Sequence, residues 1–193
     1  MKIENIKLTG KFITLEPLSL HHLDDLCEVG LDESLWRLIP TQITNRDEMK
    51  QFIETATAEN ERGISLPFAT ILNETNKAIG STRFGNIDVN NRRAEIGWTW
   101  LTPKYQRTFA NTEAKLLMLT HAFETWNCIR VELKTDALNS QSRNAILRLG
   151  ATQEGIFRRH IICESGRLRD SVYFSILDSE WESVKKNLVE KLK

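Results

Sequence analysis

The chain has 193 residues, 40% hydrophobic and 27% charged, with 26 Lys and Arg balanced by 26 Asp and Glu. That composition is ordinary for a globular fold, and at this length one domain buries roughly 70% of the surface its unfolded chain would expose. Electroneutrality argues against a protein devoted to nucleic-acid phosphates or anionic lipid, and no stretch approaches the roughly 20 apolar residues of a membrane span.

Phe12 to Glu16 reads as a first strand, closed by Pro17. Ser19 then caps a helix with Leu20, Leu23, Leu26 and Cys27 on one face, and Asn45 starts a second with Met49, Phe52, Ile53 and Ala56 inward. Residues 66–72 and 77–87 read as strands joined by the polar turn NETN. A strand from Arg93 to Leu101 follows. Strict alternation sends Ile96, Trp98 and Trp100 to one face and Glu95, Gly97 and Thr99 to the other. Pro103 ends it, and the polar loop KYQRTFAN leads into a helix from about Asn111 to Trp126, apolar over so wide an arc that it must be largely buried.

Arg130 to Thr135 alternates as a strand. Asn139 then caps a helix carrying Ala145, Ile146 and Leu149, which Gly150 stops. Strands near 152–161 and 167–176 meet at Ser165–Gly166, and Ser179 with Glu182 forms a capping box for a last helix through Trp181, Val184 and Leu188. No linker, low-complexity tract or solenoid repeat interrupts the chain, so residues 1–193 are expected to form a single domain. Hairpins mixed with strand–helix–strand crossovers predict an α/β (α+β) fold, a mixed sheet with helices on both faces.

Cys27, Cys128 and Cys163 are odd in number and unpaired by spacing, which fits reduced thiols in the cytoplasm and no metal site. The opening MKIENIKLTGKF lacks the apolar core of a secretory signal. The informative place is where strand 93–101 feeds the buried helix through a polar loop. A helix N-terminus at a strand's C-terminal end is a ready anion site, because its free N–H groups point out of the fold. The helix after Asn139 offers a second.

Four ordered blocks carry a resemblance. EIGWTWL, P-x-Y-Q-R-T-x-x-N-T-E-A-K, RVELKTDALN and N-S-Q-S-x-x-x-x-x-x-LGA, with the tail G-x-x-R-D-S-V-x-F-S, resemble the GNAT acyl-CoA N-acyltransferases. The similarity is to the RimJ/RimL-like branch and runs from Leu8 to about Trp181. It implies a mostly antiparallel sheet of about seven strands that splays between residues 93–101 and 130–135. The pantetheine arm of acetyl-CoA would lie in that gap, its amides satisfying exposed strand backbone.

By the same resemblance, Trp100, Leu101 and Thr102 border the pantetheine, and Gln106, Arg107, Thr108, Phe109, Ala110, Asn111 and Thr112 form the pyrophosphate loop. Asn139 and Ser142 meet the pantetheine and the leaving sulfur. The family loop reads Q/R-x-x-G-x-G/A, and here Phe109 and Asn111 hold the small positions. A bulky residue adopts φ > 0 only at a cost. With φ < 0 at Phe109 the ring can turn outward and the loop still binds; otherwise the site is remodelled.

Acetylation of an amine needs a neutral amine, a polarised thioester carbonyl and a proton for the thiolate. Many family members use a Tyr as that acid, at the position of Ile146; the RimL-like resemblance implies Ser142 in that role here, and the residues alone read it equally as an ordinary first-turn serine. Gly97 either permits a bulge that turns an amide toward the carbonyl or merely accommodates the neighbouring tryptophans. Glu95, His160 and Asp170 are the candidate bases, with Glu95 first because it lies on the cleft strand. Lys104, Arg107 and Arg143 are the cations for the phosphates, Arg107 foremost. Trp98 and Trp100 read as core, and Trp36, in a loop before Pro40, as a substrate-side aromatic.

The expected activity is transfer of an acetyl group from acetyl-CoA to a primary amine of a small molecule or a peptide N-terminus. Neither a nucleic-acid nor a membrane partner is expected, and a homodimer is the expected oligomer if one forms. The alternative is a non-catalytic acyl-CoA sensor or regulatory module of the same fold, motivated by Phe109 and the missing Tyr. A nucleotide-binding protein of another class would want a P-loop, which the sequence lacks.

Overall fold

A computed structural model describes residues 1–193. The strands are β1 (Leu8–Thr9), β2 (Ile13–Pro17), β3 (Leu66–Leu72), β4 (Lys77–Asp88), β5 (Arg93–Leu101), β6 (Arg130–Asp136), β7 (Thr152–Ile162) and β8 (Leu168–Leu177). They form one eight-stranded sheet in the order β1-β2-β3-β4-β5-β6-β8-β7. Every pairing is antiparallel except β5 with β6. The strand beyond the expected seven is β1, two residues long and too short to leave a periodic signal.

The helices are α1 (Leu23–Gly30), α2 (Arg46–Glu61), α3 (Phe109–Thr120), α4 (Ser140–Leu149) and α5 (Trp181–Glu190). Two cores lie on opposite faces of the sheet. In the smaller, α1 and α2 bring Leu26, Met49 and Ile53 against Ala69, Ile71 and Trp100. In the larger, α3, α4 and α5 pack Met118, Leu119, Ile146 and Leu188 on Phe68, Phe84, Val131 and Phe174. β3 touches both cores, which is why all seven of its residues are buried. No helix of the chain is long and apolar enough to cross a membrane. The cysteines are free, and burial pushes the Cys128 thiol up to about 11, far from a nucleophile's range.

Capping chemistry fixes most boundaries where the sequence places them. Asn45 accepts the N–H of Glu48, Asn139 accepts that of Ser142, and Gly150 ends α4 at φ +107°. Three boundaries differ. Ser19 caps a single 3-10 turn, Leu20–His22, that runs on into α1. The last helix is preceded by another such turn, and Glu180, rather than Glu182, reaches back to the Leu177 N–H at 2.9 Å. The buried helix starts at Phe109, two residues before Asn111, because the Thr108 hydroxyl accepts the Ala110 N–H; after Thr120 it widens into a π turn, His121–Thr125.

Candidate active site

β5 and β6 pair as parallel strands only at Arg93↔Arg130, Ala94↔Val131 and Glu95↔Glu132. Beyond these residues they part, as expected, leaving Ile96–Leu101 and Leu133–Asp136 without each other. The fork opens into a cleft of about 820 Å³ lined by both strands, the first turns of α3 and α4, and the loop Ser34–Pro40.

A bulge shapes the β5 side. Gly97 pairs with Arg83 and Trp100 with Ser81, so Trp98 and Thr99 together lie opposite Thr82. The left-handed residue is Trp98 itself, at φ +49°, not Gly97. A bulky side chain in that region marks a backbone the surrounding structure holds in place. The bulge also breaks the alternation expected from sequence. Ile96 and Thr99 face α3, while Glu95, Trp98 and Trp100 face the other way. Trp100 is core, but Trp98 is 40% exposed and lines the cleft, its ring crossing Gly85 so closely that a Cβ there would sit 2.4 Å from it. Trp36 is the reverse case. It is 3% exposed, donates its indole N–H to Gly30 and packs 5.3 Å from Trp100, so it belongs to the core rather than to a substrate surface.

Glu95 is buried on the cleft strand. Its Oε2 accepts from Asn86 at 2.8 Å and from Lys134 at 2.9 Å, while Oε1 lies beside Gly97, 3.0 Å from where a Cβ would stand. Glycine at 97 thus leaves room for this carboxylate. Of the other candidate bases, Asp170 accepts the N–H of Arg159 at the β7 bulge and is structural. His160 is exposed and rests edge-on against Phe157 and Tyr173; partial burial, then Lys134 and Arg169, pull its pKa down.

The turn before α3 takes its left-handed residue at Arg107, φ +60°, not at Phe109. Phe109 occupies the first helical position, and its ring packs 4.6 Å from Phe12, on the side away from the cleft. Gln106 ties this turn to its surroundings, donating to the Leu101 carbonyl and accepting from Gln141 at the start of α4. Among the residues expected at the site, Glu95, Trp100, Leu101, Gln106, Arg107, Asn111, Asn139 and Ser142 line the cleft. Thr102, Thr108, Phe109, Ala110 and Thr112 do not: Thr108 is the cap, and Ala110 and Thr112 are buried beneath the helix. Lys104 and Arg143 also lie off it.

Sequence left five cleft cations unmarked: Arg37 and Arg148, both exposed, and three set deeper. Lys115, 4% exposed, donates to Thr99 at 2.7 Å and Thr82 at 3.1 Å just under the bulge; with no carboxylate partner, burial lowers its pKa to about 7. Lys134 reaches Glu95 between the rings of Trp98 and Tyr173. Arg169 stands on β8, 6% exposed. For Lys115 a signal existed, since a Lys within a helix that is apolar nearly all round has no solvent face to occupy. Lys134 and Arg169 sit in ordinary alternating strands, and only the fold brings them to the fork.

Residues 13–152 match the acetyltransferase (GNAT) domain family. The chain is 29% identical to the N-acetyltransferase p20 of Bacillus licheniformis over 170 residues, 88% of this chain and 94% of that protein. Among solved structures it is similar to a GCN5-related N-acetyltransferase from Brucella melitensis, with a TM-score of 0.91, 31% identity and coverage of 98% and 86% of the two chains. It shares its fold with RimJ of Mycobacterium smegmatis, solved with CoA-disulfide, at a TM-score of 0.78 and 22% identity over 92% and 88%.

Proposed function

The chain belongs to the GNAT acetyltransferase family, and from that premise we propose that it transfers an acetyl group from acetyl-CoA to a primary amine by direct attack within one ternary complex. The observation that carries this reading is the fork: two neighbouring strands stop pairing at Glu95 and Glu132 and line an open cleft. Unpaired backbone is costly unless a partner supplies hydrogen bonds, and the amides of a pantetheine arm have the right alternation of donors and acceptors.

Acetyl-CoA supplies an activated thioester. The chain's own residues supply the rest. The α3 N-terminus and Arg107 offer N–H groups and a cation to the pyrophosphate. Phe109 is no obstacle, because its φ is not positive and its ring faces Phe12. The motive for a non-catalytic module weakens with it. Asn139 and Ser142 open α4 at the cleft, and the Ser142 hydroxyl hydrogen-bonds the leaving sulfur and relays to it a proton that solvent replaces. Glu95 Oε1, free of the hydrogen bonds that hold Oε2, receives the proton from the amine.

The test is release of free thiol from acetyl-CoA, trapped chromogenically, with amine acceptors present and absent. Acceptor-dependent release is expected, and Asn139→Ala is expected to weaken acetyl-CoA binding about tenfold while costing about 1 kcal/mol of stability for the lost cap. Acetyl-CoA binding with no thiol release from any amine would instead favour the non-catalytic module. Phe109→Gly is expected to leave donor affinity within about threefold, and to cost about 1–3 kcal/mol through lost packing on Phe12 and a glycine in the first turn. Calorimetry and urea unfolding read the two effects separately.

A further inference from the structure

The sheet face away from α3 and α4 carries a second set of groups at the fork. On β8, Val172, Phe174 and Ile176 pack into the core under α3 and α5, so Arg169, two pleats from Tyr173, stands on the opposite face with Glu95, Trp98 and Lys134. It lines the cleft and is 94% buried. Its guanidinium has no ion pair and no hydrogen bond within the chain, and its Nε is sealed from solvent without a partner.

The carboxylates nearby are already taken. Asp136 accepts from Arg167 at 2.5 Å and from the Leu138 N–H, and Glu95 accepts from Lys134 and Asn86. A buried cation whose forked donors meet no anion directly is costly, because its lost hydration is not replaced by hydrogen bonds. A ligand that brings the missing anion removes that cost.

The surroundings fit an acceptor entrance. The loop Ser34–Pro40 borders the same end of the cleft, and the tip of the β7–β8 hairpin is strapped to it: the Glu164 N–H donates to the Pro40 carbonyl at 3.0 Å, and the Glu164 carboxylate accepts the Gln42 N–H at 2.7 Å. The cations lining the cleft are Arg37, Arg107, Lys115, Lys134, Arg148 and Arg169, and Glu95 is the one acidic residue among them. The phosphates of the donor would occupy the helix N-termini on the other face, which leaves Arg169 for the acceptor. A Lys- or Arg-rich acceptor would find only Glu95 here, already paired with Lys134.

We propose that the acceptor carries a carboxylate beside its amine, and that Arg169 receives this carboxylate as a paired, forked contact and so sets acceptor choice. This rests on the acetyl-transfer reading above. The chemistry is shared by a free amino acid and by a peptide N-terminus whose second residue is acidic. Planar guanidinium and carboxylate match through two parallel hydrogen bonds, a geometry Lys cannot reproduce.

The experiment measures thiol release from acetyl-CoA with matched acceptors: the natural α-amino acids against their α-carboxamides, and short peptides with Asp at the second position against the same peptides with Asn. The native protein is expected to favour the acid member of at least one pair about 30-fold or more in kcat/KM. The pair that discriminates identifies the source of the carboxylate. Arg169→Gln is expected to erase that preference, and Arg169→Lys to restore it only in part. Both variants should keep native acetyl-CoA affinity by calorimetry, which separates a lost acceptor contact from a damaged fold. Equal use of acids and amides by the native protein, or a preference that survives Arg169→Gln, overturns the inference and leaves acetyl transfer standing. No thiol release from any acceptor, with acetyl-CoA still bound, removes the transfer reading and this inference together.

Discussion

Replacing Glu113 with alanine is expected to cost about 3–5 kcal/mol of stability, lowering the melting temperature by on the order of 10 °C. The carboxylate is 4% exposed and has no cationic partner; it accepts the backbone N–H groups of Lys11 at 2.7 Å, Phe12 at 2.8 Å and Ile13 at 2.7 Å. It joins the middle of α3 to the start of β2, a hundred residues away in sequence. Alanine would leave three N–H groups without their acceptor and open space beside Gly10, which has no side chain because the Glu113 carboxyl fills its place. Glu113→Gln should fall between the two, since an amide offers one acceptor oxygen where the carboxylate uses both. Urea unfolding checks this. A lower midpoint at unchanged slope is expected, and a loss below about 1 kcal/mol would contradict it.

Lys115→Met is expected to act in the opposite direction and to do so in a pH-dependent way. Burial lowers the Lys115 pKa from 10.5 to about 7. The folded chain therefore holds fewer protons than the unfolded chain between those values, and native stability rises with pH across that window. Below pH 7 the penalty is full. Methionine fills similar space without a charge, while Thr82 and Thr99 keep their mutual hydrogen bond at 2.7 Å. The variant should be more stable than the native protein by about 2–4 kcal/mol at pH 6, an advantage that shrinks steadily by pH 10. Urea unfolding of both proteins at the two pH values isolates this residue. An advantage that stays constant with pH would mean that Lys115 does not titrate there.

The elements legible from sequence are those governed by local chemistry. Asn45, Asn139 and Gly150 cap where capping physics places them, and the strand 93–101 begins and ends at its expected residues. The fork was legible only through family resemblance, because nothing in the alternation of RVELKT says where its pairing with β5 stops. What alternation misplaced was the far half of β5. A bulge shifts side chains by one; Gly97 offered it as one of two readings, but the left-handed position itself fell to Trp98, a residue type that does not announce it. Trp98 and Trp36 consequently exchange their expected places between core and cleft. Phe109 takes the first of the two alternatives its size left open. Its φ is not positive, the conformational demand falls on Arg107, and the ring packs away from the cleft. Arg169 and Lys134 depend on contacts across strands far apart in sequence, which periodicity does not carry.

The most direct test of this account is a calorimetric titration of acetyl-CoA into the native protein. Saturable binding of one molecule per chain, with a Kd of about 1–100 µM, is the predicted result. Absence of saturable heat up to about 1 mM acetyl-CoA would contradict the assignment of the fork as the donor site.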